Sequence, residues 1–107
     1  MSALLIDAES SDQYNVTEPS CKIGSGPNCD IVITAEGISP MHVRIEKQGN
    51  DYWCAIIPGA ALTRKVNMFQ TIPSCTLNRK ALEGKLTRMA AGDKLQIGTR
   101  LLVLHII

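Results

Sequence analysis

Short apolar runs, each broken by turn formers, recur along the whole chain and predict an all-β sandwich or barrel. Residues 29–34 alternate, with Cys29, Ile31 and Ile33 on one face and Asp30, Val32 and Thr34 on the other. Residues 41–47 alternate again, which predicts Val43 and Ile45 inward and His42, Arg44 and Glu46 outward. Gly49-Asn50 closes a hairpin onto residues 52–57, apolar on both faces as a central, covered strand would be. Further strands are predicted at 4–8, 20–24, 87–89, 94–97 and 100–107. Residues 10–15 read as a polar turn, 25–28 and 35–40 as loops, and 77–82 as a tight turn flanked by leucines. The segment 58–76 is the least regular, with room for one extra strand at 65–70. No long stretch places apolar residues at i, i+3, i+4 and i+7 behind a cap, so no major helix is predicted.

A chain of 107 residues has the length of a single domain, residues 1–107. Twelve Ile against ten Leu and five Val favour strands, and the few aromatics imply an aliphatic core. Eleven Lys and Arg against ten Asp and Glu leave a net charge of +1, so no overall field draws in nucleic acid or a membrane surface. No run approaches the roughly 20 apolar residues of a membrane-spanning helix. The N-terminus lacks the basic start and long apolar run of a secretory signal. Cys21, Cys29, Cys54 and Cys75 form no C-x-x-C pair and no common zinc spacing, so they are expected reduced, with no metal and no cofactor. No Ser/His/Asp, Cys/His or paired-carboxylate set emerges, so an enzyme is not expected.

Three segments in order carry a resemblance. The first is Ile23-Gly24-Ser25-Gly26-Pro27-Asn28-Cys29-Asp30-Ile31-Val32-Ile33. The second is Ile38-Ser39-Pro40-Met41-His42-Val43, a Ser-x-x-His pattern. The third is Ala91-Gly92-Asp93-Lys94-Leu95-Gln96-Ile97-Gly98. Together they resemble the forkhead-associated (FHA) domain over nearly the whole chain. The resemblance implies a β-sandwich of about eleven strands, with loops at one end that read a phosphothreonine peptide in a partner protein. A module starting at a Met is similar in placement to the N-terminal FHA modules of DNA-damage-response mediator adaptors. On that resemblance the chain is expected to be one module of a longer intracellular, nuclear protein.

The family's phosphate site offers an Arg in the first motif, the Ser of Ser-x-x-His, often a basic residue after it, and an Asn-Gly turn. Here the Arg position is Ser25, Ser39 is kept, and the next position is Pro40, with no charge and no N–H. The Asn-Gly-Thr turn is replaced by the 58–76 segment, roughly ten residues longer than the family spacing. Asn78 and Arg79 fall where a second Asn-Gly turn belongs, with the Gly replaced. The resemblance leaves Ser25, Ser39, His42, Asn78 and Arg79 as remnants of the peptide site, with His42 propping the loops. A hydrogen bond to a charged group contributes about 1.5–3 kcal/mol, so losing the Arg predicts a degenerate phosphothreonine site. The alternative is an active reader in which Arg64, Lys65 or Arg79 supplies the charge.

The terminal strand is apolar on both faces, with Leu101, Val103 and Ile107 on one and Leu102, Leu104 and Ile106 on the other. A sandwich strand normally wets one face. Leu102, Leu104 and Ile106 are therefore a candidate self-association surface, and a two-fold homodimer the expected partner arrangement.

Overall fold

The computed structural model describes residues 2–107. Among them the alternating, Ile-rich runs form thirteen strands and no helix. β1 (Ala3–Asp7), β2 (Gln13–Asn15), β9 (Cys75–Leu77), β10 (Lys80–Ala81), β12 (Lys94–Ile97) and β13 (Arg100–Ile106) make one sheet. Its order is β10-β9-β12-β13-β1-β2. β3 (Ser20–Gly24), β4 (Ile31–Val32), β5 (Val43–Gln48), β6 (Asp51–Ile56) and β11 (Thr87–Met89) make the second, ordered β11-β6-β5-β3-β4. The pairings are antiparallel except β3 with β4. β7 (Thr63–Asn67) and β8 (Gln70–Pro73) pair only with each other, as a separate ribbon.

The two large sheets bury one aliphatic core. Leu5, Leu95 and Leu102 from the first sheet share it with Ile23, Ile45 and Tyr52 from the second. Cys21, Cys54 and Cys75 are buried there as free thiols. Burial pushes the Cys54 thiol up to about 12, and the Cys75 thiol higher still.

Several expectations need correction. Leu102 and Leu104 are 0% and 1% exposed and face this core, and Ile106 is half-buried against it. They stabilise the sandwich and are no self-association surface. Each leucine cut to Ala would cost about 2–5 kcal/mol. The opposite face is shaded within its own sheet: Val103 lies beside Ile6 and the aliphatic stem of Lys94, and Leu101 beside Gln96. All four strand neighbours on that face, Leu4, Ile6, Leu101 and Val103, are half-buried without a partner chain.

Residues 10–15 do not remain a turn, because Gln13–Asn15 pair with β1 as an edge strand. The 58–76 segment holds a hairpin rather than one strand, with Met68 and Phe69 at its tip. That hairpin accounts for part of the excess over eleven strands. His42 is not outward but fully buried. It sits just before β5, where the alternation of that strand has not yet begun.

Candidate functional site

One pole of the sandwich is built where the 38–42 loop lies along the segment after β3. The two run together through backbone hydrogen bonds. Ser25 N–H donates to the Ser39 carbonyl, Gly26 N–H to the Pro40 carbonyl, and His42 N–H to the Ile23 carbonyl, at 3.0, 3.0 and 2.9 Å. This contact is close enough to require Gly24. A Cβ there would stand 2.3 Å from the Pro40 oxygen, so a side chain would push the loops apart. Cys29 adds an S–H donated to the same carbonyl at 3.0 Å.

His42 then locks this pair of segments to a third. Its Nδ1 accepts the Ser39 N–H at 3.0 Å. The ring proton therefore belongs on Nε2, which donates to Ser74 Oγ at 3.0 Å. The Ser74 hydroxyl donates onward to the Ala61 carbonyl. Ala61 N–H in turn faces Ser39 Oγ at 3.4 Å. With both ring nitrogens engaged, His42 has none free for acid–base work. Burial holds its pKa below the ordinary histidine value, which keeps it neutral and preserves this arrangement.

Ser74 was not singled out from the sequence. It lies in the irregular 58–76 segment, and its pairing with His42 spans 32 positions. Ser25, in the family's Arg position, spends its hydroxyl on the Ile38 carbonyl at 3.1 Å. It positions the loop and brings no charge. Ser39 is half-buried at the pole.

Arg64 is the cation that reaches this pole. It lies on β7, and its side chain crosses the loop at Gly37, two residues before Ser39. A Cβ on Gly37 would stand 2.7 Å from Arg64 Cδ, and the φ of +83° at this position also favours glycine. Arg64 Nε is buried with no hydrogen-bond partner. Among the described residues no carboxylate pairs with its guanidinium. Along the chain, the stretch between Asp51 and Glu83 carries Arg64, Lys65, Arg79 and Lys80 and no acidic residue, while Glu36 adjoins Gly37 in the loop that Arg64 crosses.

The other candidates are placed elsewhere. Lys65 is exposed on the hairpin. Asn78 and Arg79 form the β9–β10 turn with φ of +51° and +71°. That turn is at the opposite end of β9 from Ser74, about 13 Å along the strand. Asn78 Oδ1 accepts the Lys94 N–H at 2.9 Å, so its role is to pin the turn. Arg79 lines a groove of about 430 Å³ with Thr76, Lys94 and Gln96 on the outer sheet face. The structure thus brings Ser25, Ser39 and His42 to one pole with Arg64 laid over the adjoining Gly37, and leaves Asn78 and Lys65 outside it, while the Arg79 side chain also lines a groove with Ile72 and Pro73, just before Ser74.

Comparison with known proteins fits this geometry. The FHA domain sequence pattern matches residues 21–98. Solved structures that superpose on the chain share its fold. One, studied for phosphothreonine-dependent FHA domain interactions, has a TM-score of 0.78 at 20% identity, over 100% of this chain and 98% of that one. The N-terminal FHA domain of Saccharomyces cerevisiae Rad53p, bound to a phosphothreonine peptide, gives 0.78 at 13% identity over 100% and 94%. The FHA domain of the CT664 protein of Chlamydia trachomatis gives 0.76 at 18% identity over 100% and 99%. No curated protein matches the chain in sequence. The motif loops, the sandwich that carries them and the matched pattern lead to one assignment: this chain belongs to the FHA domain family.

Proposed function

We propose that this chain is a non-catalytic protein-interaction module that reads a phosphothreonine-type peptide at the Ser39 pole, with Arg64 in the role of the family's missing arginine. The carrying observation is the unpaired Arg64 side chain laid over Gly37, in the loop that presents Ser39. Phosphate at neutral pH carries nearly two negative charges and three acceptor oxygens. A guanidinium offers it paired N–H donors, and a serine hydroxyl offers one more. Ser25 and Pro40 supply neither charge, so a reader built on this fold has to draw its cation from another segment. The acid-free stretch from Tyr52 to Leu82 favours an anionic ligand by the same logic.

The test is titration of a degenerate phosphothreonine peptide library and its unphosphorylated twin, followed by fluorescence anisotropy. Phosphate-dependent binding is expected, weakened about tenfold or more by Arg64→Ala and by Ser39→Ala. Equal binding of both libraries, or no loss in Arg64→Ala, would overturn the reading and leave the degenerate site. Self-association, the other expectation, needs a surface different from the core face of β13.

A further inference from the structure

The outer face of the first sheet carries a second set of bare cations. Thr76 of β9, Gln96 of β12 and Leu101 of β13 lie across one rung of that sheet and line the groove of about 430 Å³. Arg79 and Lys94 line it with them. An adjoining hollow of about 210 Å³ shares Thr76, Arg79 and Gln96 and ends on Ile72 and Pro73 of β8. No lining residue of either is acidic. Asp93, next to Lys94 in the chain, has its carboxylate turned back onto the Ala90 N–H at 2.8 Å. Glu83 lies beyond β10 and lines neither hollow. Among the described residues, the Arg79 guanidinium and the Lys94 ammonium have no ion-pair partner.

The backbone holds these two cations together. Asn78 N–H donates to the Lys94 carbonyl at 2.8 Å, and Asn78 Oδ1 accepts the Lys94 N–H at 2.9 Å. The turn that carries Arg79 is thereby fixed beside Lys94. Arg79 itself has a φ of +71°, in a two-residue turn where both φ are positive. Glycine adopts that conformation freely, and arginine adopts it under strain. Strained positions cluster at ligand clamps, and this one carries an unpartnered charge over an open groove.

The lining selects the ligand. A guanidinium and an ammonium face carboxylates, the Thr76 hydroxyl and the Gln96 amide can hydrogen-bond a peptide group, and Leu101, Ile72 and Pro73 offer apolar contact. Nucleic acid fits less well, because its affinity draws on many phosphate contacts, whereas two cations line this groove and the whole chain carries a net charge of only +1. We propose that this groove is a second binding site, which takes an acidic, extended peptide segment of a partner protein, with carboxylates on Arg79 and Lys94 and an apolar side chain against Leu101. The site shares no residue with Ser39, His42 or Arg64 and needs no phosphate, so it stands apart from the reading at that pole.

The test is fluorescence anisotropy of the whole chain with short unphosphorylated peptides mixing glutamate and leucine, against the same set with glutamine for glutamate. Binding of the glutamate set is expected with a Kd of about 50–500 µM, the scale of weak recognition. Arg79→Gly should weaken it about tenfold and Lys94→Gln about fivefold, while Ser39→Ala leaves it unchanged. Glycine suits the turn, so Arg79→Gly should melt at or above the wild-type temperature, and its loss of binding then reads the groove and not the fold. Raising sodium chloride from about 50 to 500 mM should weaken binding severalfold. No binding up to about 1 mM, equal binding of the glutamine set, or indifference to Arg79→Gly would each overturn the proposal. Loss of binding in Ser39→Ala would move the acidic peptide to the other pole and overturn it as well. Tighter binding of a single-stranded oligonucleotide than of the glutamate peptides, abolished by Arg79→Gly, would overturn it in favour of nucleic acid.

Discussion

His42 Nε2 lies 3.0 Å from Ser74 Oγ, and this one contact holds the Ser39 loop against the end of the β7–β8 hairpin. It is fully buried on both sides, so neither group has water as a substitute partner. Ser74→Ala leaves the Nε2 proton without an acceptor and frees the Ala61 carbonyl. The expected cost is about 1–3 kcal/mol of stability, with a looser Ser39 loop and weaker peptide binding. Urea denaturation and peptide titration of the same variant check the two effects. A variant as stable as the parent would show that the contact carries no load.

Acid should destabilise the fold in two steps. His42 has a pKa below 6.5 when folded and regains the ordinary value when unfolded. Below that value the unfolded chain takes up a proton that the folded chain refuses, so stability is fully present above about pH 6.5 and falls as pH drops below it. Protonated Nδ1 would also oppose the Ser39 N–H. Melting temperature followed from pH 8 to pH 5 should show this decline.

The second step belongs to Asp7. Burial alone would raise its pKa, but the N–H groups of Ser10 and Glu9 and the charge of Arg100, 2.7 Å away, outweigh burial and hold it below 3.8. Its contribution is present above about pH 4 and is lost as pH falls through the folded value. Arg100→Ala should cost about 1–2 kcal/mol at neutral pH, below the figure for a fully buried pair because Arg100 is partly exposed. The loss should shrink as acid protonates Asp7 and removes the charge that Arg100 pairs with. A denaturation series at pH 7 and pH 3 would measure it.

Cys54 and Cys75 should resist thiol reagents in the native state. At pH 8 a thiol raised to about 12 has almost no thiolate, and the core excludes the reagent. Labelling with an aromatic disulfide should therefore track unfolding, rising with urea along the same curve as circular dichroism. Rapid labelling of both in native buffer would contradict the packing described for β6 and β9.

Much of the sandwich was legible in the sequence because period-two alternation survives in the strands that line the core. β3, β11 and β12 lie where their apolar spacing puts them. β2 escaped notice because Gln13 and Asn15 are exposed, and edge pairing with β1, not burial, makes the strand. The hairpin escaped for a related reason: Val66, Met68 and Phe69 remain in solvent, so no inward face imposes a period. β13 offered the opposite problem. Being apolar on both faces, it gave no sign of which face was the core, and Leu102 and Leu104 were assigned to the surface.

The recognition pole was half legible. The Ser39 and His42 spacing is local, and it survives as a pattern of neighbouring letters. Arg64 and Ser74 reach the same place only through the folding of a hairpin that alternation did not reveal. Ser25 and Pro40 were legible as losses, but what a lost charge leaves behind depends on which distant cation the fold brings near.

The pairing of Ala3 with Ile106 gives the domain a polarity of attachment. β13 begins beside the Gly98 turn at the Ser39 pole and runs about 23 Å to the other end of the sandwich. Any segment fused to either end leaves from that far end, so a tether and a bound peptide occupy opposite poles. Tension applied through both ends would peel β1 from β13 one hydrogen bond at a time, and the reading loops would be the last part of this strand pair to feel it.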